Sequence, residues 1–218
     1  MPEQMDARRL FCAACGVKNC TVRNPDPGRY PKGCPSLKEE LPGYLQEYLN
    51  DPETRLIAQK SSLCGPDHSE PRLPKTMRFL KMCGYTRIGL AFCVNLRKEA
   101  QIVDRILREN GFEVYSLACK VGGYDRSVLG IEESCKNMCN PIAQAGILKE
   151  AGTQFNIALG LCVGHDTLFI KYSAAPVTVL AAKDHVYNHA PLEYLKDYLR
   201  EKETDPVSEE RKPDEKDC

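Results

Sequence analysis

From Tyr85 onward the apolar positions gather into short runs separated by polar or amphipathic stretches, a pattern that predicts alternating strands and helices. Arg87 to Phe92, Phe112 to Cys119, Phe155 to Leu161 and Pro176 to Ala182 read as strands. Between the first two, Arg97 to Asn110 carries apolar residues at 102, 103, 106 and 107, the spacing of an amphipathic helix, and Gly111 stops it. That strand–helix–strand unit suits a right-handed parallel crossover. Asn140-Pro141 is a cap followed by proline at a helix start, continued by Ile142 to Glu150. A short helix from Asp166 to Tyr172 links the third and fourth strands, and Pro191 to Lys202 forms a closing helix. The expected fold is α/β, a small open and mostly parallel sheet of about four strands with flanking helices.

The first part of the chain reads differently. Residues 1–35 show no helical or strand period and too little apolar mass for a core of their own. Ser36-Leu37-Lys38-Glu39 has the form of a capping box and predicts a helix after it, despite Pro42. Asp51-Pro52-Glu53 predicts a second helix, and Lys75 to Met82 a third. The expected organisation is a cysteine-rich metal-binding knuckle over 1–35 and a helical connector over 36–84. A Rossmann-like α/β domain follows over 85–202, then a charged, disordered tail over 203–218.

Charge and composition remove some function classes. Thirty basic and thirty acidic side chains cancel, so attraction to nucleic acid or to anionic lipid is not favoured. No apolar run reaches membrane-spanning length, and the opening MPEQMDARRLFCAAC lacks the apolar stretch of a secretory signal, which predicts a cytoplasmic protein. Twelve cysteines then need a reason, because a reducing cytosol disfavours disulfides and makes clustered thiols metal ligands or redox groups.

Two clusters stand out. Cys12, Cys15, Cys20 and Cys34 follow C-x2-C-x4-C-x13-C, with Gly16 after the second thiol suiting a tight knuckle. Four thiolates suit a structural zinc ion or an iron–sulfur cluster. The second cluster comes from strand ends: Cys93, Cys119 and Cys162 each close an apolar run. The carboxyl ends of parallel strands are where open α/β sheets bind ligands, so three thiols would converge there. Cys135 and Cys139, on the loop after the second strand, would join them and make a site for a soft metal or an iron–sulfur cluster. Beside it, His165 could ligate or move a proton, Asp166 could orient it or cap the next helix, and Lys120 could lower the Cys119 pKa or bind an anion near Gly122-Gly123. Cys162, His165 and Lys120 are the candidate catalytic groups. Asp184-His185 should reach the same rim. His189 reads as a surface residue, Cys64 and His68 as a loop cysteine and a surface histidine, and Cys83 as packing at the opposite end of the sheet.

The stretches CAACGVKNC, PKGCPS, RIGLAFCVNLRKEA, CNPIAQA and GLCVGHDTLFIKYSAAPVTVLAAKD resemble the domain of unknown function 1847 family over nearly the whole chain except the tail. That resemblance implies a cytoplasmic metal-binding protein but no reaction. The family pattern ending the fourth strand is lysine, aspartate, arginine, and here it reads Lys183-Asp184-His185. The leading expectation is a metalloprotein with a structural four-cysteine site and a second thiolate site, a redox or sulfur-handling enzyme with a small-molecule substrate or redox partner. The alternatives are a metal or cluster carrier, and a regulatory scaffold whose metals are purely structural.

Overall fold

The computed structural model describes residues 12–65, 69–131 and 137–204. The chain divides into two compact units, Met1–Gly65 and Pro66–Cys218, and the division falls inside the stretch read as a helical connector.

In the first unit, short 3-10 turns at Cys12–Ala14, Asn19–Thr21, Pro27–Arg29 and Pro35–Leu37 precede two helices, α1 (Leu41–Asn50) and α2 (Pro52–Cys64). The expected capping box is not used. Pro35 opens a turn whose exit, Lys38, is extended (φ −70°, ψ 134°), so Ser36 cannot cap a helix; α1 starts later, with Pro42 in its first turn, where its missing N–H costs nothing. Asp51 caps α2 as expected, its side chain accepting from Thr54 N at 2.7 Å. Cys64, read as a loop residue, is instead the buried last residue of α2, and His68 lies outside the described residues. Asn19 and Cys64 are the buried residues of this unit among those described, so it has almost no apolar core.

The second unit opens with α3 (Arg72–Cys83) and continues β1 (Arg87–Phe92), α4 (Arg97–Glu109), β2 (Glu113–Ala118), α5 (Pro141–Glu150), β3 (Phe155–Leu159), α6 (His165–Tyr172), β4 (Val177–Ala181) and α7 (Leu192–Thr204). The four strands form one all-parallel sheet in the order β2-β1-β3-β4. The α/β fold expected from the alternation is therefore the observed one. Successive strand residues serve opposite faces. Ile88, Leu90, Phe155, Ile157 and Leu159 pack with Leu80 of α3 and with Ala100, Val103 and Leu107 of α4. Ala91 and Ala158 pack on the other face with Ala145 and Leu148 of α5 and Phe169 of α6. Cys83 ends α3 and packs against the first of these cores, in keeping with its reading as a packing residue.

This topology has one switch point. The chain leaves β1 toward β2 and leaves β3 toward β4, in opposite directions, so the connections diverge between β1 and β3. β3 stops two residues earlier than its apolar run. Gly160 turns the chain at φ +59°, and a Cβ there would lie 2.1 Å from Leu96 Cδ1, so glycine is required at this position.

Candidate functional site at the sheet switch point

Each thiol of the second cluster is positioned by its own piece of backbone. Cys93 follows β1 directly and continues its ladder, its N–H donating to Leu159 O at 3.1 Å. Cys119 follows β2, donating to Phe92 O at 2.9 Å and accepting at its own carbonyl from Asn140 N at 2.7 Å. That last bond ties the loop before α5 to the tip of β2, and it brings Cys139 Sγ to 3.7 Å from Cys119 Sγ. Cys162 lies three residues past β3, and its carbonyl accepts from His165 N at 2.9 Å and Asp166 N at 3.0 Å in the first turn of α6. Cys93 and Cys119 are buried, Cys139 and Cys162 half-buried. Cys135 lies outside the described residues.

The side chain that joins these segments is one the sequence reading gave no role in the site. Lys183, two residues past β4, donates from Nζ to Cys93 Sγ at 3.1 Å and to Cys162 Sγ at 3.2 Å. Its backbone is held by a closed turn. Asp184 Oδ1 accepts from Val186 N and Tyr187 N at 3.0 Å each, Asp184 N donates to His189 Nδ1 at 3.0 Å, and His189 N donates to Asp184 O at 2.7 Å. His189 is thus a turn-building residue, not a bystander on the surface. His185 stacks edge-on against it at 5.5 Å between ring centres.

Burial pushes the Cys119 thiol up to about 12, with Cys139 and Cys93 adding to the rise and the Val94 N–H, 3.4 Å from its sulfur, opposing it. The ammonium of Lys120 donates to Asn137 O and tethers the loop. For Lys183, burial works against the charge, but hydrogen bonds to Cys93 and Cys162 outweigh it and hold the ammonium above its ordinary value. His165, the first residue of α6, is held below its ordinary value by burial and by Lys120, with Lys183 and Arg126 adding to the effect against Asp166. Asp166 accepts from Thr167 N at 2.7 Å at the helix start.

Two polar atoms near the strand tips are buried without a hydrogen-bond partner among the described residues: His165 Nδ1 and Gln144 Oε1. Gln144, on α5, donates from Nε2 to Leu117 O at 2.7 Å and to Phe92 O at 3.5 Å, two residues before Cys119 and one before Cys93. An orphaned buried acceptor and an orphaned imidazole nitrogen are the kind of groups a bound species satisfies. A cavity of about 680 Å³ lies instead along α4, between Phe92, Ser116 and Arg105, and no cysteine lines it.

Of the N-terminal thiols, Cys12 lies in the first 3-10 turn, Cys15 just past it, Cys20 in the second, and Cys34 immediately before the fourth. Cys15 N donates to Cys12 O at 3.2 Å, Cys12 and Cys20 are exposed, and Cys15 and Cys34 are half-buried. The left-handed residues of this segment are Lys18 (φ 51°), Asn24 (φ 54°) and Gly33 (φ 77°), and Gly16 is not among them. Among the described residues no three His, Cys, Asp or Glu side chains are gathered around one ion-sized point, here or at the switch point.

A doubly wound parallel sheet with cysteines and a lysine at its switch point defines an α/β protein with a thiol-rich site. Residues 34–180 match the family described as protein of unknown function (DUF1847), and the chain belongs to that family. It is also 39% identical over 199 residues to the uncharacterized protein MJ0455 of Methanocaldococcus jannaschii, covering 88% of this chain and 97% of that one. No solved structure matches the chain. The family match includes Cys34 and every thiol of the switch point, and it excludes Cys12, Cys15, Cys20 and Lys183. No helix among the described residues is long and apolar enough to cross a membrane.

Proposed function

We propose that the switch point holds a soft metal centre, a zinc ion or an iron–sulfur cluster, on Cys93, Cys119, Cys139 and Cys162, with Cys135 as a fifth thiol of the same loop. The observation that carries this reading is the placing of four sulfurs from four chain segments at the strand ends as two pairs, Cys119 with Cys139 at 3.7 Å and Cys93 with Cys162 on one ammonium. The residues fit such a group in kind: the donors are soft, two are buried, and unsatisfied polar atoms lie at the same strand tips. Cys12, Cys15, Cys20 and Cys34 would form a separate structural zinc or iron–sulfur site in a unit with little core of its own.

When bound, zinc supplies Lewis acidity and a cluster supplies electron transfer. The protein's own contribution in a redox or sulfur-handling reaction is then specific. His165 carries an imidazole whose pKa burial and the neighbouring Lys120 lower, with an unpartnered Nδ1 that could take or give a proton. Lys120 donates to Asn137 O and so helps to position the loop that carries Cys139. Cys162 is the thiol nearest to His165 in sequence, the one a substrate would meet with that imidazole beside it.

The test is metal and sulfide analysis of anaerobically purified protein. Stoichiometric zinc or iron beyond one N-terminal site is expected, reduced in Cys93→Ser, Cys119→Ser and Cys162→Ser. Unchanged metal content in all three variants would overturn the switch-point assignment.

A further inference from the structure

Lys183 reaches the thiols from far away in sequence, 90 residues after Cys93 and 21 after Cys162, and it bonds both sulfurs with one nitrogen. Its backbone is fixed by the Asp184–His189 turn, which holds Asn188 and His189 in the left-handed region (φ 48° and 65°). Two non-glycine residues in that region cost free energy, so the turn is over-determined by its hydrogen bonds. The stem of Lys183 is the opposite: four flexible methylenes carrying a compact charge whose three donors rotate freely. The charge therefore sits on the two sulfurs at the end of a stem that can take other rotamers without moving the turn.

Among the described residues, no lysine or arginine donates to the other two sulfurs. Cys139 Sγ donates to Cys119 Sγ at 3.7 Å, and Cys119 Sγ also accepts from Val94 N at 3.4 Å. The four thiols are therefore held as two unlike pairs, one around an ammonium and one around itself. An ion coordinated by all four would have to take the place the ammonium now fills between Cys93 and Cys162, since two cations on the same sulfur pair repel. We propose that Lys183 is a built-in counter-cation that competes with metal for Cys93 and Cys162. The switch point is then a site whose affinity for a thiophilic divalent ion Lys183 lowers and whose metal exchanges more readily for it. This inference rests on the reading of Cys93 and Cys162 as ligands.

The competing possibility is that Lys183 supports a loaded site by donating to metal-bound sulfur, as surrounding hydrogen-bond donors commonly do. The two make opposite predictions. The experiment titrates the full-length protein with cobalt(II), followed by sulfur-to-cobalt absorption, in the wild type, Lys183→Met, Lys183→Gln, Cys93→Ser and Cys162→Ser. Circular dichroism confirms that each variant is folded, and Lys183→Gln, which keeps a donor without the charge, stands in if Lys183→Met is not. Removing the competitor should tighten cobalt binding about tenfold and slow its loss to a chelator. Unchanged or weaker binding in the folded lysine variant would overturn the counter-cation. If Cys93→Ser and Cys162→Ser leave the cobalt absorption of the wild type intact, the ligand reading itself fails, a different result from a missing lysine effect.

Discussion

At the scale of single residues, Gly89 and Asn156 show how closely the sheet is packed on the face that carries the thiols. A Cβ on residue 89 would lie 2.0 Å from Asn156 Oδ1 and 2.8 Å from Leu148 Cδ1. Asn156 cannot easily yield, because it is buried and fully bonded: Oδ1 accepts from Thr153 Oγ1 at 2.9 Å and Nδ2 donates to Ser173 Oγ at 2.8 Å. Gly89→Ala is expected to cost about 2 kcal/mol through overpacking, read from urea midpoints. In an Asn156→Ala background the same change should cost at least about 1 kcal/mol less, since the obstructing amide is gone. Equal costs in both backgrounds would show that the clash is absorbed elsewhere. The sequence reading reached some residues of the site and missed others for a physical reason. Cys93 and Cys119 were legible because each follows a strand, and a strand leaves a period in its own sequence. Cys162 was placed on a strand tip because the apolar run continues to Leu161, and a turn at Gly160 is invisible to periodicity. Lys183 and Gln144 act across the fold, on partners whose proximity only the strand order creates, and no local pattern announces that; His189 bonds Asp184 five residues away, in a turn without a sequence period.

At the scale of elements, the start of α5 does more than begin a helix. Asn140 Oδ1 accepts from Ala143 N at 3.0 Å while its own N–H donates to Cys119 O at 2.7 Å. One residue therefore caps α5 and fixes Cys139, its immediate neighbour, against Cys119. Asn140→Ala keeps the backbone bond and loses the cap, so it should lower stability by about 1 kcal/mol in thermal or urea unfolding. Cross-linking of Cys119 to Cys139 by a short bifunctional thiol reagent should become slower in the same variant. Normal cross-linking together with lost stability would separate the cap from the placement of the thiol. Caps were only partly legible from sequence. Asn140-Pro141 and Asp51-Pro52 both begin helices where expected, because a proline after the cap fits a first helical turn. Ser36 matched its motif equally well and failed, because Pro35 and Lys38 commit that segment to a separate turn.

At the scale of the whole molecule, the two units differ in what can hold them together. The sheet unit has two apolar cores, one on each face, with Leu80, Ile88, Leu90, Leu107, Leu148, Ile157 and Phe169 fully buried. Residues 12–65 bury Asn19 and Cys64, while Tyr44, Leu45, Tyr48 and Leu49 of α1 are exposed. Hydrophobic burial scales with the apolar area removed from water, so it can account for the first unit only in small part. Under the proposed four-cysteine metal site, binding free energy replaces core burial there and becomes folding free energy. Chelation should then act on one unit and spare the other. Hydrogen exchange of the full chain, with and without a strong zinc or iron chelator, is expected to lose protection across residues 12–65, while the amides of β1 and β3, central in the sheet, stay protected. Cys12→Ser with Cys15→Ser should reproduce the chelator's pattern without it. Protection over 12–65 that survives both treatments would mean that turns and helix caps suffice for that unit, and that its four cysteines are not what folds it.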